Sequence, residues 1–204
     1  MYSNLKETID SLDVSTLSSD RKEVLQPLIS YLATQIDEKQ AIRIVFICTH
    51  NSRRSHLAQI WMQALAHYHG IDRLNSYSAG TQQTAVYASV IETLKDAGFA
   101  TEKLSEEANP IYAVKYTDNE PAVIAFSKEL ASTFNPACKF AAIMTCSQAD
   151  EGCPFVPGAE KRIPITYEDP KVFDATEQEE EKYKERSLQI ATELHYVFQQ
   201  LSNK

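Results

Sequence analysis

The sequence predicts an α/β fold: a parallel four-stranded sheet with helices on both faces, an N-terminal helical extension and an inserted β-hairpin. Three observations carry this. "IRIVFIC" and "FAAIMTC" are short continuous apolar runs, the pattern of strands buried on both sides of a parallel sheet. Stretches of helical periodicity alternate with such runs, which implies a parallel sheet covered on both faces. One segment, "IYAVKYTDNEPAVIAFSKE", breaks the rhythm with alternating residues around a turn signal.

Residues 1–40 form the predicted extension. Leu5, Ile9 and Leu12 recur at helical spacing, and after the cap-rich break "VSTLSSD" the series Val24, Leu25, Leu28, Ile29, Leu32 and Ile36 repeats it. Two helices packed on the main domain or on a partner chain are expected. Residues 41–204 form the predicted main domain. Its first strand is "IRIVFIC", followed by a helix from Ser52 to about Gly70 with Leu57, Ile60, Trp61, Ala64 and Leu65 on its apolar side. "LNSYSAG" is a second strand ending in small residues, and Val86–Ala97 a helix stopped by Gly98. The hairpin is placed at about Ile111 to Ser127, turning at "TDNE", where it either covers the site or contacts a second copy. "FAAIMTC" and "KRIPITY" are the third and fourth strands, and Thr176–Leu201 a final helix, acidic in its first turns.

A formal net charge of −8 argues against a nucleic-acid phosphate backbone as partner. No apolar run approaches membrane-spanning length, and "MYSNLKETID" lacks an apolar signal-peptide core, so a soluble cytoplasmic protein away from the membrane is expected. In such a compartment Cys48, Cys138, Cys146 and Cys153 are thiols by default, and any disulfide is transient and catalytic. The sequence leaves oligomerisation open.

The chemistry concentrates at "VFICTHNSRRSH". Cys48 closes a buried strand, the loop Thr49, His50, Asn51, Ser52 and Arg53 follows, and Arg54 and Ser55 fall in the first turn of a helix. Ligands of open α/β sheets bind beyond the carboxyl ends of the strands. Unpaired N–H groups at a helix start attract anions, and a guanidinium fork adds bidentate contacts to a tetrahedral oxyanion. The same surroundings favour the thiolate of Cys48, with Ser55 placed to donate to the sulfur. The bland alternative is a structural cysteine beside a solvated arginine.

This loop resembles the active-site loop of the low-molecular-weight protein tyrosine phosphatases and of the thioredoxin-coupled arsenate reductases, which share a flavodoxin-like fold. Cys48, Asn51, Arg54 and Ser55 match their pattern, and the resemblance covers residues 42 to about 202. His50 stands where these families usually have glycine, and Arg53 where many have a second cysteine. His50 is read as a surface residue, Arg53 as a solvated charge or an extra anion contact. The resemblance implies that Asp169, followed by Pro170 in "TYEDPK", is the general acid for the departing oxygen; adjacent Glu168 lacks the proline neighbour.

It also implies roles for "TCSQADEGCP". Cys146, Ser147, Asp150, Cys153 and Pro154 match the C-x6-C-P element of the reductases. There Cys146 attacks after arsenate bonds to Cys48, and Cys153 takes over the disulfide and carries it to a reductant such as thioredoxin. Inert thiols are one alternative. Zinc held by Cys138, Cys146, Cys153 and a histidine is another, disfavoured by the ligand spacing. Cys138 is read as a packed or spare thiol. Some members of the resembling families bind potassium beside the loop through asparagine, glutamate and serine. Asn51 and Ser78 correspond, but Gln59 replaces the glutamate, so no required metal or other cofactor is expected.

Arsenate reduction with a dithiol is thus the leading expectation. Hydrolysis of phosphotyrosine or small phosphoesters is the second, and a non-catalytic oxyanion-binding or scaffold protein the third.

Overall fold

The computed structural model describes residues 1–152 and 155–202. In chain order its elements are α1 (Ser3–Asp10), α2 (Ser19–Asp37), β1 (Ile42–Cys48), α3 (Arg54–Tyr68), β2 (Leu74–Gly80), α4 (Ala88–Asp96), β3 (Ala100–Lys103), β4 (Tyr112–Lys115), β5 (Val123–Ala125), β6 (Phe140–Met144), α5 (Ser147–Gly152), β7 (Ala159–Pro164) and α6 (Glu179–Ser202). The strands β2-β1-β6-β7 form a parallel sheet in that order.

The apolar run of β1 fits an inner strand. From Ile44 to Ile47 its side chains alternate between two clusters, and Cys48 at the strand end joins Ile47 on the second. Ile42, Ile44 and Phe46 enter a large core with residues of α1, α2, α3, α4 and α6. Val45, Ile47 and Cys48 face a smaller cluster that Ala149 of α5, Leu130 and Val156 help to close. The chemistry lies at the carboxyl edge, where β1, β2 and β6 all end.

The fourth strand starts earlier than "KRIPITY" suggests and its ladder is assigned only to Pro164. The chain nevertheless stays beside β6, since Ile165 N–H donates to the Met144 carbonyl (3.0 Å) and Tyr167 N–H to the Thr145 carbonyl (3.1 Å). This carries Asp169 to the edge where Cys48 lies. The expected hairpin is present as β4 and β5, but β3 joins it to make a three-stranded antiparallel sheet. β3 reads "ATEK", with neither alternation nor apolar content, because only its backbone serves the ladder.

Leu5, Ile9, Leu25, Leu28 and Leu32 are fully buried in the same core as β1 and α6. Gly98, at φ +99°, is where α1 presses on the chain: a Cβ there would lie 2.4 Å from the Leu5 nitrogen. Arg21 of α2 makes a bidentate ion pair with Glu193 of α6 (2.8 and 2.7 Å), whose carboxylate is buried. Among the described residues no helix is long and apolar enough to cross a membrane.

Candidate active site

The loop after β1 is held from outside by its carbonyl groups. Thr81 N–H donates to Cys48 O, Gln82 N–H to Thr49 O (2.8 Å) and Tyr87 N–H to Ser52 O (3.1 Å). The hydroxyls of Thr84 and Ser127 both donate to His50 O, at 3.0 and 2.9 Å. With the carbonyls so engaged, the loop N–H groups turn the other way. Among the described residues those of Thr49 to Ser55 have no protein acceptor. No side chain caps α3, so the Arg54 and Ser55 N–H groups of its first turn belong to this set, while those of His56 and Leu57 turn back to the Arg53 carbonyl. Successive backbone N–H groups left unpaired in this way form a concavity whose polarity suits an anion.

Asn51 adopts φ +44°, a left-handed conformation that asparagine tolerates. The positive φ therefore falls on Asn51 and not on His50, and His50 needs no glycine-like freedom. Gly80 lets the loop sit against β2: a Cβ there would lie 2.8 Å from the Asn51 nitrogen and 2.9 Å from the Thr49 oxygen.

Cys48 Sγ lies 3.1 Å from Ser55 Oγ. Asn51 Nδ2 donates to Ser55 Oγ at 2.9 Å, while Asn51 Oδ1 accepts from the Lys128 N–H at 2.9 Å. The Lys128 amide is a donor only, which fixes the orientation of the Asn51 amide. Ser55 Oγ is therefore an acceptor toward Asn51, and its own proton is free to point at the sulfur. The sulfur thus faces a hydroxyl donor at the base of the loop.

Arg54 is buried and spans from loop to acid. It donates to the Tyr167 carbonyl (2.8 Å) and pairs with Asp169 Oδ2 (2.5 Å). Its Nε is buried without a protein partner among the described residues, a donor available to an oxyanion. Asp169 Oδ1 accepts from Lys171 N–H, so the carboxylate caps the turn Pro170–Phe173. Glu168 projects outward and meets Arg186 at 3.5 Å. Arg53 is not solvated. It donates to Tyr183 Oη and to the Asp174 carboxylate, and its guanidinium lies 4.2 Å from the Tyr87 ring centre. Burial and the hydrogen bond to Asp174 raise the Tyr183 phenol, which stays neutral.

Cys146 is buried where the chain leaves β6, the strand beside β1, and shares the smaller core cluster with Cys48. Its sulfur accepts from Ala149 N–H (3.4 Å) and meets the Thr49 hydroxyl at 3.5 Å. Cys48, Cys146 and exposed Cys138 carry free thiols. Cys153 and Pro154 lie outside the described residues. The structure thus brings Cys48, Arg54, Ser55, Asp169 and Cys146 to one sheet edge.

Sequence reading missed the braces of the loop: Gly80, Thr84, Ser127 and Lys128. The small-residue end of "LNSYSAG" was a signal for Gly80; Ser127 and Lys128 follow the hairpin with no motif of their own.

The model of the family described as low molecular weight phosphotyrosine protein phosphatase matches residues 43–204. An arsenate reductase of Bacillus licheniformis is 28% identical over 136 residues, 67% of this chain and 79% of the relative. The solution structure of a low molecular weight protein tyrosine phosphatase from Bacillus subtilis superposes with a TM-score of 0.54 at 16% identity, covering 80% of this chain and 99% of that one. An arsenate reductase in the phosphate binding state superposes at 0.50 and 16% identity, covering 78% and 98%. The two structures share the fold; the family match spans the sheet, the anion loop and the Asp-Pro turn together. This chain belongs to the low molecular weight phosphotyrosine protein phosphatase family, a family of enzymes.

Proposed function

We propose that this chain is an arsenate reductase in which Cys48 is the nucleophile, Cys146 and Cys153 are the resolving pair, and thioredoxin or a similar dithiol is the reductant. The observation that carries this reading is the placement of Cys146 beside Cys48 at neighbouring strand ends, with the Thr49 hydroxyl against the Cys146 sulfur. The register Ile47↔Met144 puts Thr145 level with Cys48 and Cys146 one residue further along the neighbouring chain, so a small shift of the segment after β6 brings the two sulfurs into line for a disulfide. Hydrolysis of a phosphoester has no use for a second thiol there. Named arsenate reductases among the relatives support the same reading.

In the first step the Cys48 thiolate attacks arsenic, an S–As bond forms, and an oxygen leaves as water with a proton from Asp169. The loop N–H groups and Arg54 hold the remaining oxygens. Cys146 thiolate then attacks the Cys48 sulfur. The S–S bond forms, the S–As electron pair stays with arsenic, and arsenite departs as As(III). Cys153 attacks Cys146, freeing Cys48, and the external dithiol reduces the Cys146–Cys153 disulfide.

A second reading is a phosphatase acting on phosphotyrosine or small phosphoesters through a cysteinyl-phosphate. It draws on the family description and on the fact that Cys48, Ser55, Arg54 and Asp169 suffice for it. The deciding experiment assays arsenate turnover with a thioredoxin system beside hydrolysis of p-nitrophenyl phosphate. Cys146→Ser and Cys153→Ser are each expected to abolish the first and spare the second. If arsenate leaves every thiol reduced while the phosphoester is hydrolysed, the phosphatase reading replaces the reductase one.

A further inference from the structure

Lys128 follows β5 and is buried, only 2% exposed. Its Nζ donates to Ser78 Oγ and to the Phe126 carbonyl, both at 3.3 Å, and lies 4.6 and 5.6 Å from the ring centres of Phe126 and Phe134. Among the described residues it forms no ion pair with a carboxylate; burial alone pulls its ammonium down to about 8. A buried ammonium without a counter-ion is costly, and a chain that keeps one places it where its charge has a task.

The hydrogen bonds say where that task lies. His56 Nε2 is 2.9 Å from the Asn51 carbonyl, so this nitrogen carries the proton. Burial and the charge of Lys128 push His56 down to about 3, so the ring is neutral and Nδ1 is an acceptor. Nδ1 meets Ser78 Oγ at 3.2 Å, which makes Ser78 the donor there and the acceptor from Lys128. The polarity therefore runs one way, from Lys128 Nζ through Ser78 and His56 to the carbonyl of Asn51. The Lys128 N–H meanwhile holds the Asn51 side chain. Both ends of the left-handed residue of the anion loop depend on Lys128.

We infer that Lys128 is a positioning residue for the oxyanion site, a tethered cation behind the loop that takes the place of a free monovalent cation. A potassium ion of the kind suggested by resemblance does not fit these residues. Ser78 Oγ and Asn51 Oδ1 are already engaged by Lys128, and Gln59 donates its Nε2 to the Ser76 carbonyl, leaving one neutral oxygen. Among the described residues the groups that face the ammonium are His56, Ser78, Phe126 and Phe134, none of them anionic.

This inference rests on the reading of the loop as an oxyanion site. The test measures inorganic phosphate affinity by calorimetry, and the rate of Cys48 alkylation by iodoacetamide, on the full chain. Wild type is expected to bind phosphate equally in potassium, sodium and choline chloride at one ionic strength. Lys128→Met is expected to bind about tenfold more weakly, with slower alkylation, and Lys128→Ala to regain affinity when methylammonium is added. Wild-type affinity that rises specifically with potassium overturns the inference, as does a Lys128→Met variant that binds like wild type. Should both variants fail to fold, as judged by circular dichroism, the salt exchange on wild type decides. A wild type that binds no phosphate in any salt overturns the oxyanion reading together with this one; a wild type that binds, with an equal variant, overturns this one alone.

Discussion

Ser55 Oγ sits 3.1 Å from the Cys48 sulfur and takes a hydrogen bond from Asn51 Nδ2 on its other side. The serine is thereby an oriented donor. Hydrogen bonds to charged groups contribute about 1.5–3 kcal/mol. Ser55→Ala is expected to slow iodoacetamide alkylation of Cys48, and turnover with it, by roughly 10–100-fold. Equal alkylation rates in the variant and wild type would remove Ser55 from thiolate stabilisation. Cys48→Ser, with a hydroxyl in place of the thiolate, should be inactive.

Asp169 meets Arg54 at 2.5 Å and stands one residue before the proline that opens its turn. Asp169→Asn keeps the shape and removes the carboxyl group proposed as proton donor. Turnover is expected to fall by about 10²–10⁴-fold while phosphate affinity, held by the loop and Arg54, survives. An unaltered rate and pH–rate profile would take Asp169 out of the mechanism.

Gly80→Ala drives a methyl into backbone atoms of the anion loop, which have no side-chain freedom with which to yield. A loss of about 1–3 kcal/mol in urea unfolding is expected, with weaker phosphate binding. A variant matching wild type in both measurements would mean that the loop does not pack against β2 as described.

His56 is buried and neutral, pushed down to about 3. Its folded value lies below the ordinary 6.5, so between these values the unfolded chain binds more protons. The stability it contributes is complete above pH 6.5 and lost as pH falls toward 3. Between pH 7 and pH 4 this amounts to about 3 kcal/mol. Urea melts at the two values should show that loss in wild type beyond the loss in His56→Gln. Parallel losses in the two proteins would refute a buried neutral histidine.

What the sequence revealed follows the distance along the chain over which each feature is built. Cys48, Arg54 and Ser55 were legible because strand, loop and helix start are contiguous there. Asp169 was legible through its proline and its place after a strand. Lys128 and Ser127 reach the loop across 77 residues, by way of the hairpin and its return to the main sheet. No local pattern encodes that approach. Arg53 looked like a surface charge because its partners, Asp174 and Tyr183, arrive from beyond the last strand. β3 was invisible for the same reason: its strand character comes from its neighbour β4.

The pairing of Arg21 with Glu193 has a consequence for the order of events during synthesis. α2 emerges from the ribosome long before α6, yet the apolar side chains of each are covered in part by the other. Until α6 has been made, the part of the α2 surface that it covers has no partner. Folding of the large core therefore closes after translation of α6 rather than progressively behind the ribosome. A nascent chain stalled before Glu193 is expected to bind chaperones through the α2 surface that α6 covers, and a chain carried past α6 is expected to lose that binding.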